Sequence, residues 1–352
     1  MSGGEQHRFE MPGVEPPPAI NPHARRVAPY RPTVDELWNR LQDRDRSALS
    51  LAITWLESTH PRDQDDIAQI LDRAQSGDAR SLRLGITGVP GSGKSTLIES
   101  LGLQFLSDPE VDLAVLAIDP SSPISGGSIL GDKSRMVQLS RHPRAFVRPS
   151  PSRGTLGGVG GFTHEAITLC EAAGKNLIIV ETVGVGQSEA TVRDMVDVFL
   201  LLMLTGAGDD LQGMKRGVLE LADILAVTKA DGENKVRAGV VCQQLRGTLG
   251  FFMPLSPHWS TQVETVSVHD PASVSQLRDR IRECETILRG AGEFDARRAT
   301  QRVRFALQSM ETLWQREFMG DDNREELLGQ VRRNELTPRR AAQRWWDSVR
   351  KQ

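Results

Sequence analysis

The sequence predicts an α/β fold in which helices cover both faces of a parallel β-sheet. Short, almost wholly apolar runs recur along the middle of the chain, and each is followed by a polar loop and a helix-like segment. Strands that are apolar on both sides are typical of a parallel sheet buried between two helical layers. Helical patterns without such runs precede and follow this region. We therefore predict a sheet-containing core with helical additions at both ends.

The N-terminal part of the chain is predicted to be a tail followed by helices. Residues 1–32 hold seven of the 19 prolines and show no apolar periodicity, which is typical of a disordered tail. Residues 33–80 form the N-terminal helical segment, where Thr33 and Glu36 stand at the spacing of a helix-capping box. We expect these helices to dock on the core.

The core is predicted to span residues 81–271. Its strands are the apolar runs "LRLGITG", "LAVLAID", "NLIIVET", "DVFLLLMLT", "DILAVTK" and "VETVSV". Residues 272–352 return to helical patterns, and Pro338 suits a first helical turn. The tryptophans of this C-terminal arm, Trp314, Trp345 and Trp346, predict that the arm is buried against another subunit.

Composition and charge limit the classes of function. The 352 residues are 38% hydrophobic and 25% charged with a net charge of -3, so they can bury a core but carry no general attraction to nucleic acid or anionic membranes. No apolar run has the length of a membrane span, and the polar N-terminus lacks a signal-peptide core. The three cysteines are widely spaced, which predicts neither a disulfide framework nor a metal site. We expect a cytoplasmic protein.

A glycine-rich turn follows the first predicted strand. The segment "GVPGSGKST" at residues 88–96 fits GxxxxGK[ST] and precedes the helix-like "STLIESLGLQFL". In this pattern backbone N–H groups converge on phosphate oxygens, the lysine reaches the β- and γ-phosphates, and the next hydroxyl binds Mg²⁺. A chance turn is the alternative, and the flanking strand and helix count against it. The nucleotide-binding residues predicted here are Gly88, Val89, Pro90, Gly91, Ser92, Gly93, Lys94, Ser95 and Thr96.

Two acids end predicted strands and are candidates for a magnesium site with Ser95. Asp119 closes "LAVLAID" and Glu181 closes "NLIIVE". Ligands of parallel sheets bind at these carboxyl ends, and Mg²⁺ takes few carboxylates and keeps several waters. One such acid alone would be better explained as a helix cap, whereas two after a phosphate-binding loop favour the metal. Gly184, in "ETVGVGQSE", can offer its N–H to a γ-phosphate.

The segment "LAVTKADG" at residues 225–232 is similar to the loop with which GTPases bind guanine. Lys229 can lie along the purine, and the Asp231 carboxylate can accept two hydrogen bonds from the guanine edge, which adenine cannot donate. Thr228 stands where asparagine is usual and keeps a hydroxyl. A further base contact is expected from the loop after the last strand, formed by Ser267, Val268 and His269. We therefore predict GTP as the nucleotide.

With these residues placed, the chain resembles the MeaB/MMAA/ArgK family of P-loop GTPases between about residues 37 and 346. The stretches that carry the resemblance are "GVPGSGKST", "DPSSPISGGSILGDKSRM", "ETVGVGQSE" and "TGAGDDLQGMKRGVLELADILAVTKADG". The family implies a SIMIBI-type P-loop G-domain and a homodimer formed through a C-terminal arm. Its members chaperone adenosylcobalamin-dependent acyl-CoA mutases, for which they hydrolyse GTP, gate cofactor loading and protect the mutase.

The resemblance also implies switch segments. Residues 119–136 correspond to switch I, with Asp119 and Asp132 near magnesium, and residues 181–189 correspond to switch II. Residues 206–215 correspond to a further switch, in which Asp209, Gln212 and Lys215 couple the mutase to GTP hydrolysis. Glycines within this stretch independently predict a mobile loop. Catalytic roles are thus expected for Lys94 and these three residues.

Three other functions fit parts of the pattern. A GTPase that inserts nickel into another enzyme shares the core fold but typically has a His-rich tract or CxxC ligands, and the seven histidines here are scattered. An arginine-transport kinase would need a phosphoacceptor that no motif indicates. A non-catalytic nucleotide-binding scaffold is opposed by the presence of Lys94, Ser95, Asp119 and Glu181.

Overall fold

A parallel sheet forms the centre of the molecule, as the apolar runs predict. The computed structural model describes residues 30–75, 80–118, 136–149, 158–182, 188–205, 216–320 and 323–349. Its strands are β1 (Leu82–Gly88), β2 (Leu113–Ile118), β3 (Ala145–Pro149), β4 (Leu177–Thr182), β5 (Val198–Met203), β6 (Ile224–Val227) and β7 (Gln262–Thr265). They form one seven-stranded sheet in the order β3-β2-β4-β1-β5-β6-β7. All neighbouring strands run parallel.

β3 does not belong to the strands predicted from the sequence. This strand, "AFVRP", lies at the edge of the sheet, where β2 is its one neighbour among the strands of the described residues. A central strand needs apolar residues on both faces, whereas this edge strand carries a half-buried Arg148. The terminal Pro149, which has no N–H to donate, is tolerated because no strand of the described residues pairs with the outer side of β3. The pattern that identifies the inner strands is therefore absent from this one.

Helices cover both faces of the sheet. Those before β5 are α1 (Val34–Gln42), α2 (Arg46–Glu57), α3 (Pro61–Gln75), α4 (Lys94–Leu106), α5 (Val137–Arg141), α6 (Gly158–Ala172) and α7 (Ser188–Arg193). Those after β5 are α8 (Arg216–Glu220), α9 (Asn234–Leu249), α10 (Pro271–Gly290), α11 (Glu293–Gly320), α12 (Asn323–Arg332) and α13 (Pro338–Val349). As Pro338 predicts, α13 begins at that residue.

Two apolar cores lie on opposite faces of the sheet. Successive strand residues point to opposite faces, so Ala114 packs in one core and Val115 in the other. The first core is shared by α1, α2, α3, α6, α7, α8 and α9, and the second by α4, α5, α10 and the first turn of α11. The N-terminal helices therefore dock on the sheet core, in the way that their apolar periodicity predicts. No helix in the described part of the chain is long and apolar enough to cross a membrane.

Of the predicted C-terminal arm, residues 272–352, α10 packs in the second core, and the part that follows it (α11, α12 and α13, hereafter the arm) is joined internally by aromatic rings. The ring of Trp314 stacks on Trp346 at 4.9 Å between centroids, and Phe318 meets Trp345 edge-on at 4.7 Å. Part of the tryptophan surface expected to face another subunit is thus covered by the arm itself. Trp314 and Trp346 still expose 43% and 38% of their surfaces.

Buried ion pairs attach the arm to the core at the amino ends of the strands. Arg298 of α11 donates from Nε to Asp197 Oδ1 at 2.8 Å, and Asp197 is 0% exposed. Asp197 also accepts from the backbone N–H of Arg83 in β1 at 2.9 Å. The Arg83 guanidinium in turn donates twice to Glu171 of α6, at 2.8 Å in both bonds. This network links α11 to β1 and α6.

A second carboxylate, Asp223, is shared between two helices. Arg193 of α7 donates to its Oδ2 at 2.8 Å, and Arg297 of α11 donates to its Oδ1 at 3.3 Å. The backbone N–H of Phe199 in β5 donates to Oδ2 at 2.8 Å. The side chain of Asp223 is only 2% exposed, so these three donors replace its water shell.

Candidate nucleotide-binding site

The glycine-rich turn lies between β1 and α4, and α4 begins at Lys94. Gly91 and Gly93 adopt left-handed conformations with φ of 81° and 83°, which a residue with a Cβ adopts at a cost. Gly88 is required for a different reason, since a Cβ there would lie 2.7 Å from the carbonyl oxygen of Leu202 in β5. These glycines turn the backbone sharply into the helix, so that the free N–H groups at its start can bind an anion.

The Lys94 ammonium is held over this turn. Its Nζ donates to the carbonyl oxygen of Gly88 at 2.8 Å and to that of Val89 at 3.3 Å. Burial lowers the pKa of Lys94, and the charge of Glu181 acts in the opposite direction. A partly desolvated ammonium close to Glu181 and the helix start is positioned to meet the phosphate oxygens of a nucleotide.

The carboxyl ends of β1 and β4 bring a hydroxyl and a carboxylate together. Ile86 pairs with Glu181 in the strand register. Ser95 Oγ donates to Glu181 Oε1 at 2.9 Å, and Glu181 is 2% exposed. One residue further along each strand, the buried hydroxyls of Thr87 and Thr182 share a hydrogen bond of 2.7 Å. This threonine pair was not predicted, although Thr87 directly precedes the glycine-rich turn and Thr182 lies within "ETVGVGQSE".

Hydroxyl and carboxylate oxygens are ligands that Mg²⁺ prefers, so Ser95 and Glu181 fit the predicted magnesium site. Within the described ranges, no group of three or more His, Cys, Asp or Glu side chains is placed to hold a metal ion. The remaining acids assigned to magnesium, Asp119 and Asp132, lie outside the described residues.

Thr228 links the base-binding loop to the glycine-rich turn. Its Oγ1 lies 2.9 Å from the carbonyl oxygen of Ser92 and 3.1 Å from that of Met203 at the end of β5. The residue is 4% exposed. The hydroxyl that replaces the usual amide therefore bridges the two loops that would hold base and phosphates.

The two segments predicted to contact guanine converge. Ser267 Oγ donates a short hydrogen bond to Asp231 Oδ2, and the backbone N–H of His269 donates to Ser267 Oγ at 3.1 Å. Lys229 adopts a positive φ of 57°, which places it in a tight turn after β6. Ser273 of α10, not identified from the sequence, donates from Oγ to the Ser267 carbonyl at 3.0 Å and so fixes the second loop.

Some of the remaining predicted residues lie beside the glycine-rich turn or in the second base-binding loop, and others lie outside the described residues. Val89 and Val268 are half-buried, whereas Pro90 and Thr96 are exposed beside the turn. The expected switch residues Asp209, Gln212 and Lys215 lie outside the described residues, as do Gly184 and Gln187. Their roles stay predictions.

Comparison with known proteins identifies related chains. The family model described as "Methylmalonyl Co-A mutase-associated GTPase MeaB" matches residues 49–322. A probable GTPase of Mycobacterium tuberculosis is 46% identical over 316 residues, which cover 88% of this chain and 94% of the relative. The mouse protein named methylmalonic aciduria type A homolog, mitochondrial, is 43% identical over 279 residues, covering 76% of this chain and 67% of the relative.

A solved structure shows the same architecture over most of the chain. The crystal structure of a LAO/AO transport system kinase is 32% identical and superimposes with a TM-score of 0.72, covering 90% of this chain and 97% of the other. The region matched by the family model contains all seven strands of the described sheet and every residue predicted to bind nucleotide.

Proposed function

The chain belongs to the MeaB family of methylmalonyl Co-A mutase-associated GTPases, and we propose that it uses GTP hydrolysis to gate cofactor loading on an adenosylcobalamin-dependent acyl-CoA mutase. The chain is a GTPase, which is also how its bacterial relatives are named. The observation that carries the nucleotide part of the proposal is the bridge from Thr228 to Ser92, because it joins a guanine-type loop to a phosphate-type loop in one site. The mutase part is supported by the description of the family.

In this proposal different side chains bind the base and the phosphates of the nucleotide. Asp231 accepts hydrogen bonds from the guanine edge and is held in place by Ser267. Lys94 neutralises charge on the phosphates, where a fixed cation in a partly desolvated site stabilises the charge that develops during phosphoryl transfer. The N–H groups at the start of α4 add to that stabilisation.

Ser95 and Glu181 would hold Mg²⁺, together with Asp119 and Asp132 as the family resemblance implies. When bound, the ion neutralises phosphate charge and orients the nucleotide. The bond of 2.9 Å between Ser95 Oγ and Glu181 Oε1 supports this assignment, since it brings together an oxygen ligand from the first turn of α4 and one from the carboxyl end of β4. The Thr87–Thr182 bond keeps those strand ends together.

We further propose that the protein acts as a homodimer and that the arm forms the contact. The exposed apolar residues of α11 follow the spacing of a helix-packing seam. They are Val303, Leu307, Met310 and Trp314, with Leu313 beside them, and each exposes between 43% and 65% of its surface. Such a stripe on a 28-residue helix supports burial against a second copy.

We place the reaction in the cytoplasm. The three cysteines support this location, because Cys170, Cys242 and Cys284 are all buried as free thiols. Burial raises the pKa of the Cys170 thiol to about 12, which keeps it protonated and unreactive.

The deciding experiment measures GTP hydrolysis with and without a purified adenosylcobalamin-dependent methylmalonyl-CoA mutase. We expect slow intrinsic hydrolysis and at least a tenfold acceleration by the mutase. Lys215→Ala should keep the slow rate and lose most of the acceleration, because its positive charge is proposed to reach the γ-phosphate only when the mutase is bound. Lys94→Ala should impair nucleotide handling under both conditions.

Two results would contradict parts of the proposal separately. Full stimulation of the Lys215→Ala variant would remove that lysine from the catalytic machinery. The chaperone role would be refuted if no cobalamin-dependent mutase accelerated GTP hydrolysis and if no such mutase were recovered with the protein from its own cells. The protein would then still be a GTPase.

A further inference from the structure

Ser273, in the first turn of α10, is bonded to the loop that follows β7. Its Oγ accepts a hydrogen bond from the backbone N–H of Ser267 at 3.0 Å. The same hydroxyl donates toward two carbonyl oxygens, that of Asp270 at 2.7 Å and that of Ser267 at 3.0 Å. Both backbone polar groups of Ser267 are therefore in contact with one side chain.

A polar side chain at the third position of a helix often stabilises the helix start, but the oxygen of Ser273 is bonded elsewhere. In a capping box, the side chain at this position accepts from the backbone N–H of the N-cap residue. Here the N–H of the N-cap, Asp270, donates instead to the Ser267 carbonyl at 3.1 Å. The helix is already capped, because the Asp270 carboxylate accepts from the backbone N–H of Ala272 at 3.1 Å and Pro271 is the first helical residue. Ser273 thus serves the loop before the helix.

The loop that Ser273 holds also fixes the carboxylate of Asp231. Ser267 Oγ donates to Asp231 Oδ2, and a carboxylate can only accept, so the proton in this bond belongs to the serine. The backbone N–H of His269 donates to the same Ser267 oxygen at 3.1 Å, which directs the hydroxyl proton toward Asp231. Because Ser267 is 1% exposed, little water can reach it to replace a lost partner. A shift of the Ser267 backbone would therefore displace the donor that orients Asp231.

We propose that Ser273 is a positioning residue for guanine specificity and that it acts through Ser267 on the carboxylate of Asp231. The inference rests on the proposed contact between Asp231 and the guanine edge. That contact uses both carboxylate oxygens, and each hydrogen bond weakens steeply when its angle departs from linearity. When Ser267 loses the acceptor of its N–H, the carboxylate is no longer held in the orientation that meets both donors of guanine. Adenine offers neither donor, so its binding does not depend on that orientation.

The test compares diphosphates that share ribose and phosphates and differ only in the base. GDP presents N1–H and the 2-amino group to Asp231, IDP presents N1–H alone, and ADP presents neither. We expect the unchanged protein to bind GDP at least about tenfold more tightly than IDP, as one hydrogen bond to a charged group accounts for. Ser273→Ala should weaken GDP about tenfold and IDP about threefold and leave ADP unchanged, so that the preference for GDP over IDP falls about threefold.

Four further variants separate this role from a general effect on the fold. Ser275→Ala is the matched control and should keep all three affinities, because Ser275 is a half-buried serine of the same helix whose Oγ accepts from Arg278 at 3.1 Å. Ser273→Thr retains the hydroxyl and should restore the preference for GDP. Ser273→Cys, whose thiol is a weak acceptor, should behave as Ser273→Ala does and replaces it if the alanine variant does not fold. Ser273→Ala combined with Ser267→Ala should discriminate as Ser267→Ala does alone, since both changes remove the same contact with Asp231.

Three results would overturn the inference while leaving the guanine site in place. They are an unchanged ratio of GDP to IDP affinity in folded Ser273→Ala, an equal weakening of GDP, IDP and ADP in that variant, and additive losses in the double variant. Equal binding of GDP and ADP by the unchanged protein is a distinct outcome. It would refute the guanine-binding role of Asp231, and the role of Ser273 with it.

Discussion

Replacing Thr228 by valine tests whether the hydrogen bond from its hydroxyl to Ser92 contributes to the affinity for guanine nucleotides. Valine keeps the shape of threonine at a position that is 4% exposed, so the change removes the hydroxyl with little effect on packing. The Met203 carbonyl keeps a donor, since the Thr228 backbone N–H also reaches it at 2.8 Å. The Ser92 carbonyl loses the hydroxyl that lies 2.9 Å away.

The expected magnitude follows from that single lost donor. A buried acceptor left without its partner costs about 1–3 kcal/mol. We expect about 1–2 kcal/mol here, because a carbonyl has two lone pairs and tolerates partial satisfaction better than an N–H does. If the penalty falls on the nucleotide-bound arrangement of the turn, GDP and GTP bind about 5- to 30-fold more weakly, as 1.4 kcal/mol corresponds to a factor of ten.

The assay is a titration with a fluorescent guanine nucleotide, accompanied by thermal unfolding of the nucleotide-free protein. Thr228→Ser is the control, because it retains the hydroxyl and removes only a methyl group, and it should stay within about threefold of the unchanged affinity. Two results would refute the reasoning from the bridge. One is a Thr228→Val variant that binds nucleotide as tightly as the unchanged protein, and the other is a Thr228→Ser variant that binds as weakly as Thr228→Val.

Further predictions concern the same loop and the attachment of the arm. Asp231→Asn should weaken GTP binding by about 1.5–3 kcal/mol, the range for a hydrogen bond to a charged group, and equal affinities of the unchanged protein for GTP and ATP would contradict the assignment. Thr228→Asn should leave GTP hydrolysis intact and tighten nucleotide binding, because the amide supplies two N–H donors to the carbonyls that the hydroxyl now serves; lost binding in a titration would count against this. Arg298→Ala should lower the free energy of unfolding by about 3–5 kcal/mol in denaturant, since its partner carboxylate is fully buried, whereas Arg304→Ala, whose ion pair is largely exposed, should cost less than about 1 kcal/mol. Burial opposes ionisation of Glu171, but the hydrogen bonds and charges of its arginine partners outweigh that effect and hold its pKa below the usual value; its contribution to stability is therefore present above about pH 4.5 and lost as the pH falls through the lowered pKa, and Glu171→Gln should remove that part of the acid dependence of the melting temperature.

The inner strands were predictable because burial on both faces dictates an apolar composition. β1, β4, β5 and β6 are buried along their whole length, and the sequence shows each of them as an apolar run. Glu181 was identified because a charged residue directly after such an apolar run is expected at the carboxyl end of its strand, where the burial of both faces ends. β3 escaped detection since edge strands are free of that constraint.

Interactions between distant segments were not predictable in the same way. The contact of Thr228 with Ser92 spans 136 positions, and that of Arg298 with Asp197 spans 101. No local pattern specifies such pairs, because one threonine or arginine is compatible with many partners until the fold brings a particular one near. The motif identified Thr228 as part of the site, but only the strand order β1-β5-β6 brings its hydroxyl to Ser92 and Met203 and gives it a role.

The shared carboxylate of Asp223 determines how the molecule can deform. α7 and α11 each contribute an arginine to it, so neither helix can move away without leaving a buried negative charge with one donor fewer, which costs several kcal/mol. Moving both helices together does not avoid that cost, because Asp223 directly precedes β6 and also accepts from the backbone N–H of Phe199 in β5, so it stays with the sheet. Asp223 therefore anchors α7 and α11 to one point of the sheet, and a displacement of either helix relative to β5 and β6 is opposed at the same carboxylate.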